Sequence, residues 1–152
     1  MSDFRFESLL KVKELERDEK KTALLRARAA RQEAFARVEE CELELVANQR
    51  EIRTRRTTRA MSSSEARRLN EYHNLLREKK QNAEKELLVC VEDEERKQKE
   101  LDEIVKEVRI LQNLKEKQSE RRFEEEKRRS DKEIDELVAQ QKSLEQRESR
   151  DQ

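Results

Sequence analysis

Three features of the sequence predict an all-α fold: a long antiparallel two-helix coiled-coil hairpin with an overhanging C-terminal helix. The 152 residues include no glycine and no proline, where ordinary usage would supply roughly 18. Without positive φ for tight turns, or a pyrrolidine ring to stop a helix, few breakers remain along the chain. Charged residues make up 49% and hydrophobic ones 32%, with four Phe, one Tyr and no Trp. That is too little apolar surface for a globular core and suits long helices. The apolar residues that are present recur at heptad spacing in two runs separated by a polar stretch. Disorder is the competing reading, yet disordered chains usually carry Pro, Gly and a net charge. Here 37 basic residues balance 37 acidic ones.

A single coiled-coil domain is expected over 1–152, with helix one about 4–57, the tip about 58–62 and helix two about 63–145. The first seam places Leu24, Val38, Leu45 and Ile52 at a, and Ala27, Ala34 and Cys41 at d. Between Ile52 and Leu69 the pattern fails. Arg53 to Arg59 is polar and β-branched, and Met61-Ser62-Ser63-Ser64-Glu65 follows, a serine with an acid soon after that reads as a helix N-cap. The second seam holds Leu69, Leu76, Ala83, Cys90, Ile104 and Leu111 at d, with Leu87, Leu101 and Val108 at a.

Antiparallel pairing sets a positions against d positions, and three registers one heptad apart satisfy it. One of them sets Ile52 against Leu69, Leu45 against Leu76, Val38 against Ala83, Ala34 against Leu87 and Leu10 against Leu111. In that register Glu44 meets Lys79, Arg37 meets Glu86 and Glu42 meets Arg77. The neighbouring registers bring like charges together, Glu44 on Glu86 or Arg37 on Lys79. Each pair is worth a few tenths of a kcal/mol, which decides register and not stability. One misfit remains, Glu16 opposite Glu107. The register also separates Cys41 from Cys90 by roughly 15 Å along the axis, too far for a disulfide, so both are expected as reduced packing residues.

Polar residues interrupt the seam at Arg17, Lys20, Arg31, Asn48, Lys80, Glu94 and Lys97, which fixes register and weakens pairing. His73, the single histidine, takes an a position near the tip as a partly wet seam residue. Each arm of about 55 residues would be roughly 80 Å long. From about Gln118 to Gln152 the second helix has no counterpart on the first, and its stripe of Phe123, Ile134, Leu137 and Leu144 is out of phase with the earlier seam. An amphipathic face without a partner either frays or docks. Phe4, Phe6, Leu9, Leu10, Val12 and Leu15 form a second apolar cluster at the same end, broader than one seam needs.

Several chemistries are excluded by composition. A Walker-type loop needs glycine, and no nucleophile elbow, zinc pair or carboxylate dyad can be assembled, so no catalytic activity, cofactor or metal is expected. Charge neutrality argues against a general nucleic-acid or membrane-surface binder. The four arginines of Arg53 to Arg59 lack interleaved aromatics for stacking. The longest apolar run, Leu87 to Val91, is five residues, far short of the roughly 20 that span a bilayer. The opening Met-Ser-Asp-Phe-Arg-Phe has no signal-peptide layout, so a cytoplasmic protein is expected.

Three stretches together resemble the flagellar export protein FliJ family. The opening Phe4-Arg5-Phe6-Glu7-Ser8-Leu9-Leu10, followed by a Lys/Glu-rich helix, is similar to that family's start. Met61-Ser62-Ser63-Ser64-Glu65 is similar to its Met-Ser-x-x-Glu turn exit. Leu114-Lys115-Glu116-Lys117, with Asp131 to Glu136, is similar to its C-terminal motif. Each is weak alone, but the likeness runs in order over nearly the whole chain. The resemblance implies a non-enzymatic component of the flagellar type III protein export apparatus, at the cytoplasmic face of the inner membrane at the flagellar base. In that family a stalk-like coiled coil sits in the hexameric export ATPase FliI, promotes ring assembly, contacts the export-gate protein FlhA and helps recycle export chaperones. It implies that Phe4, Phe6, Leu9, Leu10, Phe123, Ile134 and Leu137 face the ATPase, while Phe35 and Tyr72, nearer the tip, face the gate. The alternatives are the equivalent stalk of an injectisome secretion system and a purely structural coiled-coil scaffold, with a nucleic-acid binder more remote.

Overall fold

The computed structural model describes residues 4–152; Met1 to Asp3, where the leader reading begins, lie outside the described residues. Two helices, α1 Glu7–Thr58 of 52 residues and α2 Ser63–Arg150 of 88, pack against each other, with no strand among the described residues. Phe4 to Phe6 precede α1 instead of opening it: the Glu7 N–H donates to the Phe4 carbonyl at 3.1 Å. This puts Glu7 in the first turn, where a carboxylate complements the helix dipole.

The polar stretch that breaks the heptad remains helical through Thr58 because it makes its own local bonds. The Thr54 and Thr58 hydroxyls donate to the carbonyls of Arg50 and Thr54, at 2.9 and 2.8 Å, and Arg55 pairs with Glu51 one turn back at 2.8 Å. The connection to α2 then uses Arg59 to Ser62 with no positive φ at any described residue, so the chain reverses without glycine. Ser62 caps α2: its Oγ accepts the Glu65 N–H at 3.3 Å, and its carbonyl accepts the Ala66 N–H at 3.1 Å. Arg59 reaches across the connection to Glu65 at 3.4 Å.

The chain divides into two compact units, one of Glu14–Val105 and one of the residues up to Lys13 together with Lys106–Gln152. In the first, Leu24 packs with Leu101, Ile104 and Val105, and Val38 and Cys41 pack with Ala83 and Leu87. Ala27, Ala34 and Leu76 are also buried, and Leu45, Ile52 and Leu69 are half-buried. Partners fall along α2 as they rise along α1: Lys20 meets Glu100 at 3.0 Å, Arg31 meets Glu94 at 2.9 Å, Arg37 meets Glu86 at 3.2 Å and Glu44 meets Lys79 at 3.3 Å. The last two are pairs that the charge argument selects. Glu42 differs, engaging Lys80 at 3.7 Å and not Arg77. Lys80 starts from a seam position, and its four-carbon stem carries the ammonium out to the flank.

In the second unit Leu10, Val108 and Leu111 form the core. Glu7 pairs with Lys115 at 2.9 Å, and Lys13 with Glu107 at 2.8 Å. Glu107, expected to confront Glu16, is thus engaged by a cation. Beyond Gln118 every residue through Gln152 is exposed.

Candidate docking surfaces

All seven residues expected to face an ATPase fall in the unit that contains the start of α1 and the end of α2. The structure separates them by role. Leu10 is 4% exposed and belongs to the core with Val108 and Leu111, so it cannot touch a partner without unpacking that core. Phe4 and Phe6 meet edge to face, with centroids 5.9 Å apart and planes at 73°, a favoured aromatic geometry. The Arg5 guanidinium lies 5.6 Å from the Phe6 centroid, within cation–π range. Phe4 and Phe123 line one groove of about 390 Å³ with Lys115 and Arg122. Leu9 is exposed.

Further along α2, Ile134 and Leu137 are 53% and 63% exposed, and Val138 and Leu144 are exposed as well. Spacings of three (Ile134 to Leu137), four (Ile134 to Val138) and seven (Leu137 to Leu144) align them along one side of the helix. The stripe is covered by nothing within its unit. Asp131, Glu133, Asp135 and Glu136 lie among it together with Lys132 and Lys142, so the apolar residues sit among charges of both signs.

Phe35 and Tyr72 lie in the other unit and are both about half exposed. Phe35 lines a groove of about 430 Å³ with Arg31, Gln32, Leu87 and Val91; Tyr72 lies elsewhere on α2, beside His73, so the structure does not join the two into one patch. Reasoning from the seam missed the rest of this surface. Leu88 and Val89 are exposed between the seam residues Leu87 and Cys90, and the five-residue apolar run marks them. A helix that is apolar all round over more than a turn turns part of that surface away from its partner.

Next to the Phe35 groove, Glu94 is held by two guanidiniums, Arg28 at 3.5 Å and Arg31 at 2.9 Å. Arg28 also donates to Gln98 at 3.2 Å, and Gln98 to Asp102 at 3.0 Å. The sequence showed Arg31 and Glu94 only as interruptions of two separate seams; here each neutralises the other. Lys20 and Glu100 act likewise. The hydrogen bond and charge of Glu100 hold the Lys20 ammonium above its ordinary value, and those of Lys20 hold the Glu100 carboxyl below its own. Glu44 raises Lys79 in the same manner.

Two seam side chains are not matched in this way. Asn48 is buried, and neither its amide oxygen nor its nitrogen has a hydrogen-bond partner; His73 Nδ1 is in the same condition. Cys41 and Cys90 are free thiols, the first buried and the second half-buried. Among the described residues no His, Cys, Asp and Glu cluster is placed to hold a metal ion, and no helix is long and apolar enough to cross a membrane. No protein-family model, curated protein or solved structure matches this chain.

Proposed function

We propose that this chain is an antiparallel coiled-coil stalk of the flagellar type III export apparatus, a binding protein and not an enzyme. It would sit as a central stalk in the middle of a hexameric export ATPase, promote ring assembly and hydrolysis, and link the ring to the export gate while assisting chaperone recycling. The observation that carries this reading is the exposed apolar surface of the unit that contains the start of α1 and the end of α2. Phe4 and Phe123 line one groove, Phe6 stacks edge to face on Phe4, and Ile134 and Leu137 follow along a helix that nothing in its unit covers. The resemblance in the opening, turn-exit and C-terminal motifs supplies the identity of the partner. Association with the cytoplasmic face of the inner membrane would then come from the partners.

Physically, a ligand in the hole of a ring alters the ring only through unequal affinity for its open and closed subunits. A helix that exposes an apolar stripe along one side and charges on the others is suited to unequal contact. The test is to mix the full chain with the export ATPase and measure ring formation and ATP hydrolysis. Both should rise, and the joint variant Phe123→Ser, Ile134→Ser, Leu137→Ser should lose most of the stimulation while keeping its helix content. If the unaltered chain leaves assembly and hydrolysis at their basal level, the stalk reading fails and the structural scaffold takes its place.

A further inference from the structure

Asn48 is 4% exposed, the one polar side chain among the described residues that is fully buried. Its amide oxygen and nitrogen have no partner, nor has the buried Nδ1 of His73. The register set by the packed residues places these orphans at one level of the helix pair. Val38 packs in one cluster with Ala83; ten residues on from Val38 is Asn48, and ten residues back from Ala83 is His73. The Glu44–Lys79 ion pair on one side and Arg59–Glu65 on the other fix the helices around that level. An amide presents both a donor and an acceptor, so it can satisfy the ring nitrogen whether that nitrogen carries a proton or a lone pair. A bridging water would serve where the two do not touch.

The neighbouring apolar layers carry little register information, which leaves it to the flanking charge pairs and to this polar level. Slipping α2 by one heptad moves Leu45 from Leu76 to Leu69 or Ala83, so an apolar side chain still meets an apolar one. The same slip moves Asn48 onto Ala66 or Lys80, and His73 onto Cys41 or Arg55. Neither displaced register returns the amide to the imidazole, and a buried polar group left alone is costly. From this we infer that Asn48 and His73 form one polar layer, closed by a turn of either side chain or by a bridging water, that fixes the pairing register of the Glu14–Val105 unit. A single polar layer in an apolar seam gives up stability in exchange for a unique alignment.

The inference stands independently of any export function and is tested on the full chain with spin labels at the exposed positions 36 and 78, after Cys41→Ala and Cys90→Ala. A slip of one heptad changes the axial offset of these labels by about 10 Å. Asn48→Leu and His73→Leu singly should each lower the melting temperature, because each strands the other group. The joint variant should melt at or above the parent temperature but show a second distance population, displaced by the heptad step. His73→Gln, which keeps a donor and an acceptor in the layer, should retain the parent's single distance. One unchanged distance in the joint variant would overturn the inference, as would a single leucine variant that melts as high as the joint one.

Discussion

At the scale of single residues, burial separates side chains that look alike in the sequence. Leu10 and Ile134 are both apolar residues in amphipathic stretches, yet Leu10 is packed against Val108 and Leu111 while Ile134 is more than half exposed. Leu10→Ala should cost about 2–3 kcal/mol, toward the lower end for a core leucine because a helix pair can close up around the gap. Ile134→Ala should change stability by no more than about 0.5 kcal/mol. Urea unfolding of the two variants checks both values, and equal losses would mean that the end of α2 is covered after all. Glu94 gives a second contrast. Its side chain is 17% exposed between guanidiniums that are each nearly half exposed, so Glu94→Gln frees two cations that can still reach water. A loss of about 1 kcal/mol is expected, well short of the 3–5 kcal/mol of a broken, fully buried pair.

At the scale of elements, one hydroxyl caps the start of α2, with the Ser64 hydroxyl 3.2 Å from it. Ser62 accepts the Glu65 N–H, whereas Ser63 and Ser64 lie inside α2. Ser62→Ala should therefore destabilise by about 1 kcal/mol, and Ser64→Ala by much less, as thermal melts would report. Pairing between the helices has a pH signature. Glu100 titrates below its ordinary 4.5 and Lys20 above its ordinary 10.5. Stability from the carboxylate is present above 4.5 and is lost as the pH falls through the lowered value; stability from the ammonium is present below 10.5 and is lost as the pH rises through the raised value. Melting curves of the parent and Lys20→Gln should differ at neutral pH and converge in strong acid, where Glu100 is protonated in both. A constant difference across the acid range would show that the pair is not the cause. Much of this level was legible in the sequence. The heptads locate Leu24, Val38, Ala83 and Ile104, since burial repeats with the helix period, and the serines mark the start of α2. The partner of Glu42 was not legible, because the reach of Lys80 depends on a rotamer and not on its seam position. The burial of Leu10 was legible as a pairing with Leu111 but obscured by the apolar crowd around it.

At the scale of the whole molecule, α2 is 36 residues longer than α1, and the residues after Gln118 add helix without adding core. Starting a helix is costly while extending one is cheap, so the end of α2 persists by propagation from the packed part and by its dense opposite charges. A chain ending at Arg128 keeps Phe123 and its groove with Phe4 but loses Ile134, Leu137, Val138 and Leu144. Its unfolding midpoint should stay within about 0.5 kcal/mol of the parent, since the deleted residues cover nothing in the core, while its helical circular dichroism falls roughly in proportion to the residues removed. If the exposed stripe is the surface that engages an ATPase ring, the same truncation should abolish stimulation of hydrolysis. A truncated chain that stimulates fully would move the contact to the Phe4–Phe6–Phe123 groove, and one that unfolds early would show that the stripe is packed within the molecule.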